Sequence, residues 1–172
     1  MKLGLLNALN VSGRRPQSAA VALITNYVPT TLRNDITGHV GLTFTTVAAI
    51  TISELGRWVV SGNSQSHTIS LVKWSDKSVV ASAVVATAGA TPGQFLYAAC
   101  TPVTLLAATY YAIVSTETSG GDQWYNASAG NQVVFTSGTY SGYCYSTSTI
   151  PNLVDGGVAA RPFGPPDAKY TS

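Results

Sequence analysis

The chain has 172 residues and a mass of 17.8 kDa, which suits a single domain large enough to bury a hydrophobic core. Only 9% of the residues are charged, and the formal net charge of +2 comes from scattered rather than clustered Lys and Arg side chains. Nucleic-acid binding needs clustered basic residues, and a membrane helix needs an apolar run of about 20 residues, so we expect neither type of partner.

The first 37 residues show no sustained hydrophobic period and are predicted to form an N-terminal arm. Residues 22–28, ALITNYV, are compatible with one strand, and residues 29–38 are rich in turn-forming residues. The short apolar patch at the start of the chain is interrupted by Asn7 and Asn10, so we expect it to be part of the mature protein rather than a signal peptide.

Residues 38–145 alternate apolar and polar side chains almost throughout, which predicts strands rather than helices. The clearest segment is HTISLVKWSDKSVVASAVVAT, residues 67–87, which predicts a hairpin closed by a polar turn at 75–78. The other predicted strands are 40–46, 49–60 with a bulge near Gly56, 94–100, 102–107, 109–116, 131–138 and 139–146. Short strands separated by frequent turns favour an antiparallel sandwich.

The last segment, residues 146–172, contains four of the eight prolines. Because proline lacks a ladder donor, this segment is predicted to contain neither a helix nor a central strand. The fold class predicted overall is all-β: an antiparallel, jelly-roll-like β-sandwich at 38–145, flanked by a Pro/Gly-rich C-terminal arm and the N-terminal arm at 1–37.

The two cysteines, Cys100 and Cys144, lie in separate predicted strands. Two buried free thiols are one interpretation, because a free cysteine packs like a small apolar residue. A disulfide that fastens the C-terminal strand to the sandwich is the alternative, and it requires an oxidising compartment. Two cysteines with distant histidines do not make a zinc site, so neither a metal nor a cofactor is expected.

The ionisable residues do not form a recognisable catalytic motif. The seven carboxylates are isolated in sequence, and we expect them in turns or on solvated faces, although Glu54 could meet Glu117 or Asp122 after folding. His39 and His67 flank strands and are expected at exposed or core-edge positions, and no G-x-S-x-G elbow supports a serine triad. We therefore expect no catalytic residues and a non-enzymatic protein.

The aromatic residues are the candidates for ligand binding. Trp124 and Tyr125 lie in GGDQWYNASAGN, which we expect to be a loop, and exposed aromatic faces on loops commonly bind ligands. Trp58 and Trp74 are weaker candidates, because aromatic residues in strands usually pack in a core. Together these four residues are the tentative carbohydrate-binding set.

Residues 40–115 resemble small β-sandwich modules of unassigned function that occur in bacterial surface proteins and in phage structural proteins. The pattern of these modules is a G-x-x-F strand, an I-x-x-L-x-x-W/Y strand, an H-T-x-x-L-W hairpin and a P-V-x-L-x-A-x-x-x-Y pair. The matching residues are Gly41, Phe44, Ile52, Leu55, Trp58, His67, Thr68, Leu71, Pro102, Val103, Leu105, Ala107 and Tyr111. The resemblance implies a carbohydrate-binding-like sandwich with an adhesion or structural role.

From the low charge, the arms and this resemblance we expect a non-enzymatic structural protein of a bacteriophage virion, as a capsid decoration or fibre component. Its partners would be copies of itself and other virion proteins, with host surface glycans as a further ligand. The alternative is a carbohydrate-binding or adhesion module that uses exposed Trp and Tyr at a bacterial cell surface or outside the cell.

Overall fold

The computed structural model describes residues 19–127, 134–157, 163–164 and 166–172. Residues 1–18 of the predicted N-terminal arm and residues 158–162 and 165 of the C-terminal arm lie outside the described residues, as does the start of the strand predicted at 131–138.

The described residues form β-strands and one short 3-10 turn. The strands are β1 Val21–Ala22, β2 Ile24–Asn26, β3 Pro29–Arg33, β4 Gly38–Thr46, β5 Ile50–Trp58, β6 Ser66–Lys73, β7 Val79–Ala86, β8 Phe95–Leu105, β9 Tyr110–Glu117, β10 Trp124–Ala127, β11 Val134–Phe135, β12 Gly138–Ser146, β13 Val154–Asp155 and β14 Pro166–Thr171. The 3-10 turn is Ile150–Asn152.

Two antiparallel sheets pack face to face. The larger has six strands in the order β13-β12-β4-β9-β6-β7, and the smaller has four in the order β1-β14-β5-β8. The chain changes sheet between β4 and β5, β5 and β6, β7 and β8, and β8 and β9, as in jelly rolls. Two small pairs, β3–β10 and β2–β11, complete the fold. The predicted all-β antiparallel sandwich is confirmed.

The main core lies between the two sheets and is formed by the alternating apolar residues that the sequence pattern indicates. The six-stranded sheet contributes Leu42, Phe44, Ile69, Leu71 and Ile113, and the four-stranded sheet contributes Ile50, Ile52, Leu55 and Ala168. The predicted hairpin is confirmed as β6–β7, in which Ile69 pairs with Ala83.

A second apolar cluster lies on the opposite face of the six-stranded sheet. It contains Val72, Ala112, Val114, Cys144 and Leu153, with Ile150 packed against it. These strand residues alternate with the residues of the main core, so they point away from it. The 3-10 turn and the residue after it therefore cover the outer side of this sheet.

The cysteines lie on opposite sides of the six-stranded sheet. Cys100 packs against the main core, whereas Cys144 is buried in the second cluster, and both thiols are free. The alternative of a disulfide is therefore wrong, and the chain has two free thiols, of which Cys100 is only half-buried.

Four local predictions are wrong. The Pro-rich tail does contain an interior strand, because β14 pairs with β1 on one side and with β5 on the other. The strands predicted at 94–100 and 102–107 are one continuous strand, β8. Residues 29–33, predicted as a turn region, form β3. The register shift in β5 falls between Ile52 and Glu54 rather than at Gly56.

Candidate functional site

The four predicted ligand-binding aromatics lie in three separate places. Trp58, at the end of β5, and Tyr125, in β10, line the same cavity of about 280 Å³. Trp74 lies in the β6–β7 turn, and Trp124 is buried. The fold thus brings two of the four residues together, although they are far apart in sequence.

The cavity has an uncharged lining. Its residues are Pro29, Trp58, Val59, Val60, Ser61, Pro92, Gly93 and Tyr125. The indole of Trp58 is held edge-on by Tyr27, at 4.9 Å between ring centroids, and by Phe95, at 5.1 Å. Because these contacts fix the orientation of the indole, the cavity offers a preformed apolar wall to a flat, uncharged ligand.

Trp74 is not part of this cavity. The ammonium of Lys77 lies 2.9 Å from the centroid of its ring, and the ring of Tyr110 meets it edge-on at 5.4 Å. One face of the indole is therefore occupied by a cation–π contact within the protein.

Trp124 is only 2% exposed, so its predicted place on an exposed loop is wrong. Strand β10 pairs with β3, where Trp124 lies opposite Arg33. The Arg33 guanidinium stacks 4.9 Å from the indole centroid, and Phe163 packs against the indole edge-on at 5.7 Å. The pairing of β10 with β3 thus buries the Trp124 side chain, which packs within the protein.

A buried cluster of charged side chains, which the sequence analysis missed, closes one end of the sandwich. Arg57 from β5 and Glu117 from β9 form a bidentate ion pair, with Nε–Oε1 at 3.1 Å and Nη2–Oε2 at 3.0 Å. Both side chains are about 2% exposed or less. Since β5 and β9 belong to different sheets, this pair links the sheets across the core.

His67 continues the cluster toward Asp122. Its Nδ1 lies 2.7 Å from the carbonyl oxygen of Thr116 and 3.3 Å from Oε2 of Glu117, and its Nε2 lies 3.0 Å from Oδ2 of Asp122. Each ring nitrogen thus lies within hydrogen-bond distance of an oxygen of the protein.

Asp122 anchors residues 64–65, which precede β6, through hydrogen bonds. Its carboxylate accepts hydrogen bonds from the backbone N–H groups of Ser64 and Gln65, at 2.9 Å each, and from the Thr87 hydroxyl at 2.7 Å. Burial raises the pKa of Asp122, but these hydrogen bonds and the one from His67 outweigh burial and hold the pKa below its ordinary value.

The cluster is closed to substrate. The side chains of Arg57, Glu117, His67 and Asp122 are between 1% and 4% exposed, and their polar atoms bond to one another and to the surrounding backbone. Glu54 lies outside the cluster, in an ion pair with Lys169 at 2.9 Å, so the suggested pairing of Glu54 with Glu117 or Asp122 does not occur. The arrangement is suited to holding the two sheets together.

The expectation that all carboxylates lie in turns or on solvated faces is wrong for Glu117 and Asp167, which are buried in strands β9 and β14. Asp122 does lie in a bend, although its side chain is buried. His67 is likewise 2% exposed rather than at the edge of the core. Strand alternation carried a usable signal, because His67 and Glu117 are in phase with the inward-facing residues of β6 and β9.

Within the described ranges, no group of His, Cys, Asp and Glu side chains is placed to hold a metal ion. In the same part of the chain, no helix is long and apolar enough to span a bilayer. A scan against models of protein families matches no family to this chain, and a search of curated proteins finds none with significant sequence similarity.

Proposed function

We propose that this protein is a non-enzymatic structural subunit of a bacteriophage virion, present in many copies as a capsid decoration or fibre component. The resemblance of residues 40–115 to modules of phage structural and bacterial surface proteins supports a virion or, as the alternative, a bacterial cell surface. The function of the subunit is to present a rigid β-sandwich to neighbouring subunits.

The charge of the surface is the observation that carries the proposal. Outside the interior, the described residues include four basic and four acidic side chains, so they contribute no net charge. These are Arg33, Lys73, Lys77, Lys169, Asp35, Glu54, Asp76 and Asp155. Charges that are few and balanced in sign over the described residues give little electrostatic repulsion between copies, which is compatible with association.

Three ion pairs reduce the exposed charge further. Arg33 pairs with Asp35 at 2.7 Å, Lys169 with Glu54 at 2.9 Å, and Lys73 with Asp76 at 3.8 Å. The surface is therefore suited to close packing against other protein surfaces, because such pairs leave little unbalanced charge to desolvate.

The closed Arg57–Glu117–His67–Asp122 cluster also supports a structural role. The cluster spans both sheets and excludes solvent, so its charges stabilise one relative position of the sheets rather than acting on a substrate. A subunit that repeats in an assembly needs this kind of fixed shape.

Fractionation tests the proposal. Phage particles and bacterial envelopes from an expressing culture would be separated on a density gradient, and the chain would be quantified in each fraction by mass spectrometry. We expect the chain to co-sediment with particles at a constant ratio to the major capsid protein. Recovery in the envelope fraction alone would overturn the virion assignment and favour the cell-surface alternative.

A glycan-binding function is the second candidate, and the shared cavity of Trp58 and Tyr125 favours it. A sugar ring can place its C–H face on an aromatic side chain while its hydroxyls bond to Ser61 and to backbone groups. Glycan-array binding and Trp fluorescence titration would test it. Tyr125→Ala should abolish the response, whereas Trp74→Phe, which lies outside the cavity, should preserve it; no response to any glycan would overturn this candidate.

A further inference from the structure

Strand β7 is an unpaired edge of the six-stranded sheet. It pairs with β6 through seven residue pairs, from Ser66–Ala86 to Val72–Val79, and it is the last strand in the sheet order. In the part of the chain that the structure describes, no strand pairs with its other side. An edge of this kind presents free N–H and C=O groups that can pair with another strand.

The chemistry of β7 does not protect this edge. Its sequence, VVASAVVA, contains no charge and no proline. From Ala81 to Ala86 its side chains point alternately inward and outward, whereas a register shift at Val80 interrupts the alternation at the start of the strand. Val84 is 61% exposed and Val79 is 48% exposed. The edge strand of the other sheet, β8, contains Pro102, which interrupts the row of donors.

The sequence of β7 is a palindrome. Residues 79–85, VVASAVV, read the same in both directions about Ser82. An antiparallel pair of two such strands, centred on Ser82, places like side chains opposite each other. At the central residues it also keeps the outward-facing Ser82 side chains on one face and the inward-facing Ala81 and Ala83 side chains on the other.

We propose that β7 pairs antiparallel with β7 of a second copy of this chain, about a twofold axis through Ser82. In this register Ser82 lies opposite the partner's Ser82, Ala81 opposite the partner's Ala83, and Val84 opposite the partner's Val80. The two six-stranded sheets then form one continuous sheet across the dimer.

A second copy of the chain is the occupant that the palindrome favours. A twofold interface requires a surface that is complementary to itself, and the uncharged palindromic strand meets this requirement around Ser82. A different protein would not need the symmetry. The free backbone groups give the attraction, and the small side chains around Ser82 permit close approach.

The contact is small, because it involves a single strand of each copy. One strand pair buries less than the roughly 1,000 Å² of a stable independent interface, so the isolated dimer is expected to be weak. In an assembly of many copies, weak contacts reinforce one another. The inference supplies one contact for the proposed structural subunit and therefore rests on that proposed function.

A charge swap at Ser82 tests the register directly. In Ser82→Lys and in Ser82→Glu, like charges face each other across the twofold axis, so each variant alone should dimerise at least about tenfold more weakly than wild type in sedimentation equilibrium. An equimolar mixture should form heterodimers, because Lys then faces Glu. Val47→Lys, at a position that is 69% exposed outside the strands, is the matched control and should dimerise like wild type.

A crosslink provides a second measurement. Opposite residues in an antiparallel pair are about 4.5–5.5 Å apart at Cα, within the range that a disulfide spans. Ser82→Cys should therefore form a disulfide-linked dimer under mild oxidation, whereas Val47→Cys and wild type, which keep Cys100 and Cys144, should remain monomeric on non-reducing gels.

The outcomes separate this contact from the proposed function. Wild-type self-association that neither charge variant alters, without a Ser82→Cys crosslink, would overturn the β7 contact and leave a multi-copy structural role intact. A chain that stays monomeric at every concentration, gives no crosslink and is absent from phage particles would overturn both.

Discussion

Glu117 illustrates how a single carboxylate holds the two sheets together. Besides the two bonds from Arg57, its Oε1 accepts a hydrogen bond from the Ser115 hydroxyl at 2.7 Å. Arg57 in turn donates to Asn63 Oδ1 at 3.3 Å and to the carbonyl oxygens of Trp58 and Gln123. Every charged atom of the pair is therefore compensated inside the protein.

Glu117→Gln removes the negative charge while nearly preserving the shape of the side chain. Arg57 then remains buried without a counter-charge, and breaking a buried pair in this way costs about 3–5 kcal/mol. We expect a loss of this order in the free energy of unfolding, measured by urea denaturation with a two-state fit.

Glu54→Gln is the matched control for this substitution. It removes the same carboxylate from the ion pair with Lys169, in which both side chains are about 30% exposed. Because solvent screens such a pair, we expect a change of no more than about 1 kcal/mol. Equal effects of the two substitutions would contradict the role assigned to the buried cluster.

Asp167 is a buried carboxyl group of the four-stranded sheet. Its Oδ1 accepts a hydrogen bond from the backbone N–H of Ile24 at 2.9 Å, and its Oδ2 accepts one from the Tyr97 hydroxyl at 2.6 Å. Burial raises the pKa of Asp167 to about 6, against the opposing effect of these hydrogen bonds and of the charge on Lys169.

The raised pKa of Asp167 makes stability depend on pH. Between about pH 4 and pH 6 the folded chain keeps a proton that the unfolded chain has released, so the free energy of unfolding falls as the pH rises. Asp167→Asn lacks this titration. Relative to this variant, wild type should lose on the order of 3 kcal/mol between pH 4 and pH 7, measured by urea denaturation at a series of pH values.

Asp76→Asn is the control for the pH series. Asp76 is exposed, and hydrogen bonds from the Ser78 side chain and backbone lower its pKa, so it is ionised in both states above about pH 4.5. The difference between this variant and wild type should not change with pH over that range. A constant difference between wild type and Asp167→Asn would count against the raised pKa.

At the level of whole strands, proline was the misleading signal. The rule that proline excludes a central strand has exceptions at the first residue of a strand and at a sheet edge. Pro166 is the first residue of β14, and Pro102 lies in the edge strand β8. The local sequence shows where a proline lies. It does not show whether the N–H group that proline lacks would have faced a neighbouring strand.

Alternation within strands predicted much more. The hairpin β6–β7 and the core positions follow from a period of two. The same period contains the inward phase of His67 and Glu117, which the sequence analysis did not use. Their meeting with Arg57 could not be predicted, because it depends on which strand ends lie together in opposite sheets. For the same reason, the cavity formed by Trp58 and Tyr125 could be identified only in the folded chain.

At Gly56 the absence of a side chain leaves space for the ring of Tyr97, from β8, to lie against β5. A Cβ atom added at Gly56 would lie 2.6 Å from Cδ1 of Tyr97, whose hydroxyl reaches Asp167 in β14. Gly56→Ala should therefore displace the ring and weaken the contact between the three strands, lowering the free energy of unfolding by about 1–3 kcal/mol in urea denaturation.

A double-mutant cycle isolates this steric effect. In a Tyr97→Ala background the ring is absent, so Gly56→Ala should have an effect at least about 1 kcal/mol smaller than in wild type. An equal effect in both backgrounds would mean that the alanine disturbs the strand by another route.

At the scale of the whole molecule, the sequence pattern describes the body better than its ends. Strands β1, β2 and β3 pair with β14, β11 and β10, which lie about a hundred residues or more further along the chain. These short strands have no strong period of their own, and their pairing depends on surfaces that exist only after the body has folded. The described parts of both predicted arms are therefore integrated into the sheets.

The absence of charged side chains from β7 leads to a prediction about association. If copies associate through the β7 edge, salt has no charged pair to screen at the contact itself. The dimer dissociation constant of wild type should therefore change by less than about threefold between about 0.05 M and 0.5 M NaCl in sedimentation equilibrium, although the Debye length shortens several-fold over this range.

The heterodimer of Ser82→Lys with Ser82→Glu serves as the internal control, because it differs from wild type only in an exposed pair of opposite charges at the twofold axis. Salt screens that pair, so its dissociation constant should rise over the same range in which wild type is constant. Equal and strong salt dependence in both would mean that charged groups elsewhere dominate association. The contact between copies would then lie on a charged face of the sandwich, since β7 itself contains no charge to be screened.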